Sequence, residues 1–111
     1  MHESHQVQHL VSHAQEMLAG LKIAKPSRIS VLVGEGLGFD EMSVRLHWEE
    51  FTSGTPLEAA QLTVAFTPVL LQCPSCGSVF PKKKSKMDCP RCRVMGKPTD
   101  SGREFKIVSI T

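Results

Sequence analysis

A chain of 111 residues that is 41% hydrophobic and 22% charged has room for one compact domain, or for one domain carrying a small appendage. No apolar run approaches the roughly 18 residues of a membrane span, and no basic stretch followed by an apolar run opens the chain, so a cytoplasmic location is expected. The net charge of +2 hides an asymmetry: residues 1–68 hold four Lys/Arg against eight Asp/Glu, whereas residues 69–111 hold nine against three, the pattern of an acidic body and a basic arm.

Residues 4–21 repeat apolar side chains at the three-and-four spacing of a helical face: Val7, Leu10, Val11, Ala14, Met17, Leu18 and Leu21. Gly20 and Lys25-Pro26 mark the end of this helix. Arg28 to Val33 alternates Ile29, Val31 and Val33 with other residues and is rich in β-branched side chains, which predicts a strand. Gly34 to Gly38 then turns. Three glycines alternate there, but the segment has neither the GxGxxG spacing nor the Lys-Ser/Thr ending of a phosphate loop. Asp40 is placed to cap a second helix running through Phe51, with Val44, Trp48 and Phe51 on its buried face and Met42 and Leu46 flanking them. Ser53-Gly54-Thr55-Pro56 stops it.

Gln61 to Thr67 alternates Leu62, Val64 and Phe66 with polar or small residues and reads as a strand. A short strand over 69–72 leads into the cysteine segment. Beyond it, residues 95–102 read as loop and 104–110 as a last strand returning to the main sheet. The fold expected is α+β: a small mixed β-sheet with two helices, plus an inserted zinc-ribbon arm built on four cysteines. The body is 1–68 and 103–111, and the arm is 69–102.

All four cysteines lie in two pairs of one spacing, Cys73-Pro-Ser-Cys76 and Cys89-Pro-Arg-Cys92. A Cys-x-x-Cys turn presents two thiolates to one metal from a single knuckle, and two knuckles complete a tetrahedral zinc shell. Gly77 follows the first pair, where such turns often need a positive φ. Two disulfides, a redox pair and an iron–sulfur site are the alternatives, and the absence of an export signal weighs against the first. Zinc held by four cysteines has no open position, so its role there is structural.

The terminus Met1-His2-Glu3 can supply an α-amine, a backbone nitrogen and an imidazole at neighbouring corners of a square plane, with Glu3 or a further group as fourth donor. Nitrogen and oxygen donors in that arrangement suit Ni(II) or Cu(II). The plainer alternative is a frayed terminal residue. His5, His9 and His13 recur every four residues on the polar side of the first helix, either as a solvated face or as an auxiliary nickel-capturing surface. Lys82, Lys83, Lys84 and Lys86 lie between the knuckles. With only Phe80 nearby for base stacking, a solvated loop or a docking patch for an acidic protein fits them better than a nucleic-acid surface, although a nucleic-acid-binding zinc ribbon is the alternative function. Neither a Gly-x-Ser-x-Gly nor a His-Glu-x-x-His motif occurs, and no enzyme is expected.

Taken together, Met1-His2-Glu3, the strand ending in Gly34-Glu35, Phe51-Thr52-Ser53-Gly54-Thr55-Pro56-Leu57-Glu58, the two cysteine pairs and Ser101-Gly102-Arg103-Glu104-Phe105 resemble the HypA/HybF family of nickel-insertion accessory proteins of [NiFe]-hydrogenase maturation. The resemblance spans nearly the whole chain. It implies a non-enzymatic nickel metallochaperone with structural Zn(2+) on Cys73, Cys76, Cys89 and Cys92, and transported Ni(2+) near Met1, His2 and Glu3. It further implies delivery with a hydrogenase-maturation GTPase to the hydrogenase large subunit, and in some members service to urease maturation proteins. The histidine stripe inherits no role from the family, whose members commonly have apolar or small residues there.

Overall fold

The computed structural model describes residues 3–83 and 86–111. The elements in order are α1 (Glu3–Leu21), β1 (Arg28–Gly34), a 3-10 turn (Glu35–Leu37), α2 (Glu41–Thr52), β2 (Gln61–Thr67), β3 (Leu70–Gln72), β4 (Val79–Pro81), β5 (Lys97–Pro98) and β6 (Phe105–Ile110). They form two three-stranded sheets, ordered β2-β1-β6 and β4-β3-β5. The chain divides into two compact units, one of Met1–Leu32, Phe39–Ala65 and Phe105–Thr111, the other of Val33–Gly38 and Phe66–Glu104. Among the described residues no helix is long and apolar enough to cross a membrane.

The first sheet is mixed. Arg28 and Thr111 exchange backbone hydrogen bonds, and Gly34 N–H donates to Glu104 O, so β1 and β6 run antiparallel. Gln61 N–H donates to Ser27 O at 2.8 Å, which brings the starts of β1 and β2 together and makes them parallel, with α2 in the crossover between them. The first unit has its core where α1 buries Val7, Leu10, Val11, Ala14 and Leu18, with Ile29 and Val31 of β1 and Val44 and Trp48 of α2. Asp40 caps α2 as its position predicts, accepting from Ser43 N–H at 3.2 Å.

The end of α2 shows why that stretch has its particular residues. Thr52 Oγ1 donates back to Trp48 O at 2.8 Å, so its hydroxyl is satisfied although the residue is buried. Thr55 Oγ1 then donates to Thr52 O at 2.6 Å and accepts from Leu57 N–H at 3.2 Å. This pair of bonds turns the chain so that Leu57, 0% exposed, plugs the core. The helix cap is Ser53, with Gly54 beyond it at φ 79°.

Two expectations need correction. Residues 95–102 are not all loop: Lys97–Pro98 pairs antiparallel with β3, Leu71 opposite Pro98 and Gln72 opposite Lys97. Proline fits there because β5 is an edge strand, where a missing N–H costs no ladder bond. Leu21, expected on the buried face of α1, is 51% exposed because the helix ends at that residue. On α2, Met42 and Leu46 flank the face that Val44 and Trp48 bury and are themselves exposed.

Candidate functional site

In the second unit, the two cysteine turns are built alike. Cys73 N–H donates to Ser78 O and Gly77 N–H returns to Cys73 O, both at 2.9 Å. Cys89 N–H donates to Val94 O and Arg93 N–H to Cys89 O, both at 2.8 Å. Each turn needs a left-handed residue four positions after its first cysteine. Gly77 serves at φ 77°, but the second turn places Arg93 there at φ 58°. A side chain in that region costs on the order of 1–2 kcal/mol. Replacing Arg93 with glycine is therefore expected to stabilise the second turn by about 1 kcal/mol, seen as stronger amide-exchange protection at Arg93 and Val94. Unchanged or weaker protection would contradict the assignment of strain.

The sulfurs of Cys73, Cys76, Cys89 and Cys92 all lie within 4.8 Å of one another. Cys76 Sγ and Cys89 Sγ are 3.7 Å apart and all four are free thiols. That spacing is well beyond a disulfide bond and close to the ~3.8 Å between two thiolates that share a tetrahedral ion at about 2.3 Å. Cys73 and Cys89 are each 1% exposed and form a small core with Leu71 and Phe80, against which Met87 and Cys92 pack. Cys76 is exposed.

The sulfur of Cys73 accepts from the Ser75 and Cys76 amides, both at 3.4 Å. The Ser78 hydroxyl and backbone hold the Cys76 thiol down at about 6, and the neighbouring Cys76 and Cys73 sulfurs push Cys92 up to about 12. Four crowded sulfurs cannot all ionise without a cation among them. The set fits a divalent ion that four thiolates surround.

Met1 and His2 lie outside the described residues. Glu3, the third residue of that motif, opens α1 with Oε1 accepting from Ser43 Oγ of α2 at 2.7 Å. Its Oε2 is buried and has no hydrogen-bond partner among the described residues. The start of α1 is thereby tied to the first turn of α2.

His5, His9 and His13 are all exposed on α1, but they are not equivalent. His9 Nε2 lies 3.2 Å from His5 Nε2, whereas His13 faces Glu16 at 4.0 Å. His47 lies 3.9 Å from Glu50 and stacks on Phe51. Lys83 and Lys86 pair through their backbones and, with Arg93 and Asp88, line an open cleft beside Phe80. Lys84 is outside the described residues.

The Gly34-Glu35 and Ser101 to Glu104 motifs meet in the second unit. Gly34 N–H donates to Glu104 O at 2.6 Å and Gly36 N–H to Gly102 O at 2.7 Å. Ser101 Oγ accepts from Leu70 N–H, and Glu104 Oε1 accepts from the Thr67 hydroxyl. These residues serve a close backbone crossing.

A family model described as hydrogenase/urease nickel incorporation, metallochaperone, hypA, matches residues 1–111. The chain is 32% identical over 111 residues to the hydrogenase maturation factor HypA of Caldanaerobacter subterraneus subsp. tengcongensis, covering 99% of this chain and 97% of that one. It is 34% identical over 112 residues to the HypA of Lawsonia intracellularis, covering 96% and 95%. The solution structure of the Ni metallochaperone HypA from Helicobacter pylori matches with a TM-score of 0.65 at 25% identity, over 99% of this chain and 96% of that one. A whole-chain match of this kind, on a fold that clusters the four cysteines, places this chain in the HypA family of hydrogenase/urease nickel-incorporation metallochaperones.

Proposed function

We propose that this protein is a nickel carrier for hydrogenase maturation, with one structural zinc and one exchangeable nickel per chain. The observation that carries the reading is the family match from residue 1 to residue 111, which takes in both the Met1-His2-Glu3 start and the cysteine pairs. Members of the family are metallochaperones rather than enzymes. Zinc sits on Cys73, Cys76, Cys89 and Cys92, whose sulfurs are already gathered for a tetrahedral ion. The arm at 69–102 holds it, and the body at 1–68 and 103–111 holds the nickel.

Nickel binds through the Met1 amine, the His2 backbone nitrogen and the His2 imidazole, a donor set that suits a square-planar ion. Glu3 contributes through its place at the start of α1. Its Oε1 is engaged by Ser43, and its buried second oxygen is a natural acceptor for a donor or cation brought by the terminus. Delivery runs in the cytoplasm, with a maturation GTPase, to the [NiFe]-hydrogenase large subunit, and the same chemistry would serve urease maturation.

Nickel titration of the zinc-loaded, untagged protein is expected to show one equivalent that is lost in His2→Ala and in a variant with residues added before Met1, since each removes a corner of the square plane. Unchanged nickel affinity in both variants would refute the terminal site.

A further inference from the structure

The histidines of α1 are not used by the terminal site, and their geometry divides them. His5 and His9 sit one turn apart on a 19-residue helix, the spacing that stacks side chains on one face. Their Nε2 atoms are 3.2 Å apart, and the rings meet edge to face with centroids 4.8 Å apart. Two nitrogens that bind one ion at about 2.0–2.1 Å and at roughly a right angle are ~3 Å apart. The two ring nitrogens therefore need only a small reorientation about χ2, a torsion with a broad minimum, to converge on one ion.

His13 does not share this arrangement. The three imidazoles do not converge, since among the described residues the cysteines are the only set of three or more ligand-bearing side chains gathered closely enough for one ion. His13 faces Glu16, and the groove that it shares with His9, Gln6 and Leu10 also carries Lys106 of β6. What separates the three is side-chain direction: the His5 and His9 rings turn toward one another, whereas the His13 ring turns toward Glu16.

We propose that His5 and His9 form a second, weak site for a divalent transition-metal ion, with water completing its shell and His13 outside it. Two imidazoles select nickel, copper or zinc over the oxygen-seeking magnesium and calcium. With only two protein donors, such a site would release its ion readily, and it needs no donor from Met1 or His2.

Nickel chloride titrated into zinc-loaded His2→Ala protein is expected to show one weak equivalent. Paramagnetic broadening should fall first on the His5 and His9 ring protons. In that background His5→Ala or His9→Ala is expected to weaken binding at least about tenfold, while His13→Ala changes it less than about twofold. All three positions are exposed, so helical content should be the same in every variant. No residual nickel in His2→Ala, or an equal loss in His13→Ala, overturns the proposal. If His2→Ala instead binds nickel as the parent does, the terminal site is refuted and the His5/His9 test still reads independently.

Discussion

Replacing Cys89 with alanine is expected to abolish zinc binding and to unfold much of the second unit while leaving the helices formed. The reason lies in how little else holds that unit. Its strands β3, β4 and β5 are three, three and two residues long, and its buried cluster is Leu71 and Phe80 with Cys73 and Cys89 themselves. Two large apolar side chains contribute only about 3–6 kcal/mol, far less than ordering some thirty residues costs. Structural zinc supplies on the order of 10–16 kcal/mol, available only when the ligands are brought together, so its binding energy is folding energy.

Cys76→Ala separates the two contributions. Both variants lose one of four thiolates, but Cys76 is exposed while Cys89 is in the core, so only Cys89→Ala also removes a packed side chain. Zinc content by elemental analysis and amide dispersion for residues 70–98 read the two effects. An arm that stays dispersed after zinc is stripped by a chelator would show that packing alone suffices, against this expectation.

Gly34→Ala is expected to destabilise the protein by about 3 kcal/mol, since overpacking costs roughly 1–3 kcal/mol and each displaced hydrogen bond about 1 more. A Cβ at Gly34 would collide with the carbonyl group of Gly102 and the nitrogen of Arg103. All of these are backbone atoms, so no side-chain rotamer can relieve the contact. The bonds from Gly34 to Glu104 and from Gly36 to Gly102 would have to open together.

Gly20→Ala is the matching control. Nothing lies within 4 Å of a Cβ there, and the residue is in the last turn of α1, so alanine should stabilise slightly, by about 0.5 kcal/mol at most. Thermal melts of the two variants should move in opposite directions, with Gly34→Ala lower by roughly 10 °C or more. A Gly34→Ala protein that melts with the parent would mean that the crossing yields without cost.

The sequence by itself determined the two helices, the three long strands and the ribbon insertion, because each rests on a local regularity. Apolar residues at helical spacing define α1, alternation defines β1 and β2, Asp40 caps α2, and a repeated Cys-x-x-Cys needs only its own spacing to be read as a metal knuckle. Family membership was legible for the same reason, since its motifs are short and contiguous. Only the tertiary structure decided what those motifs do. Gly34 and Glu104 are far apart along the chain, so the crossing that makes glycine obligatory there has no local sign.

The short strand β5 was likewise hidden, because two residues, one of them proline, carry no periodicity and become a strand only when β3 offers its edge. The histidine stripe is the sharpest case. The four-residue spacing treats His5, His9 and His13 alike, yet side-chain direction joins the first two at 3.2 Å and turns the third toward Glu16. Spacing fixes which residues share a face, whereas the directions their side chains take decide which of them can hold an ion together.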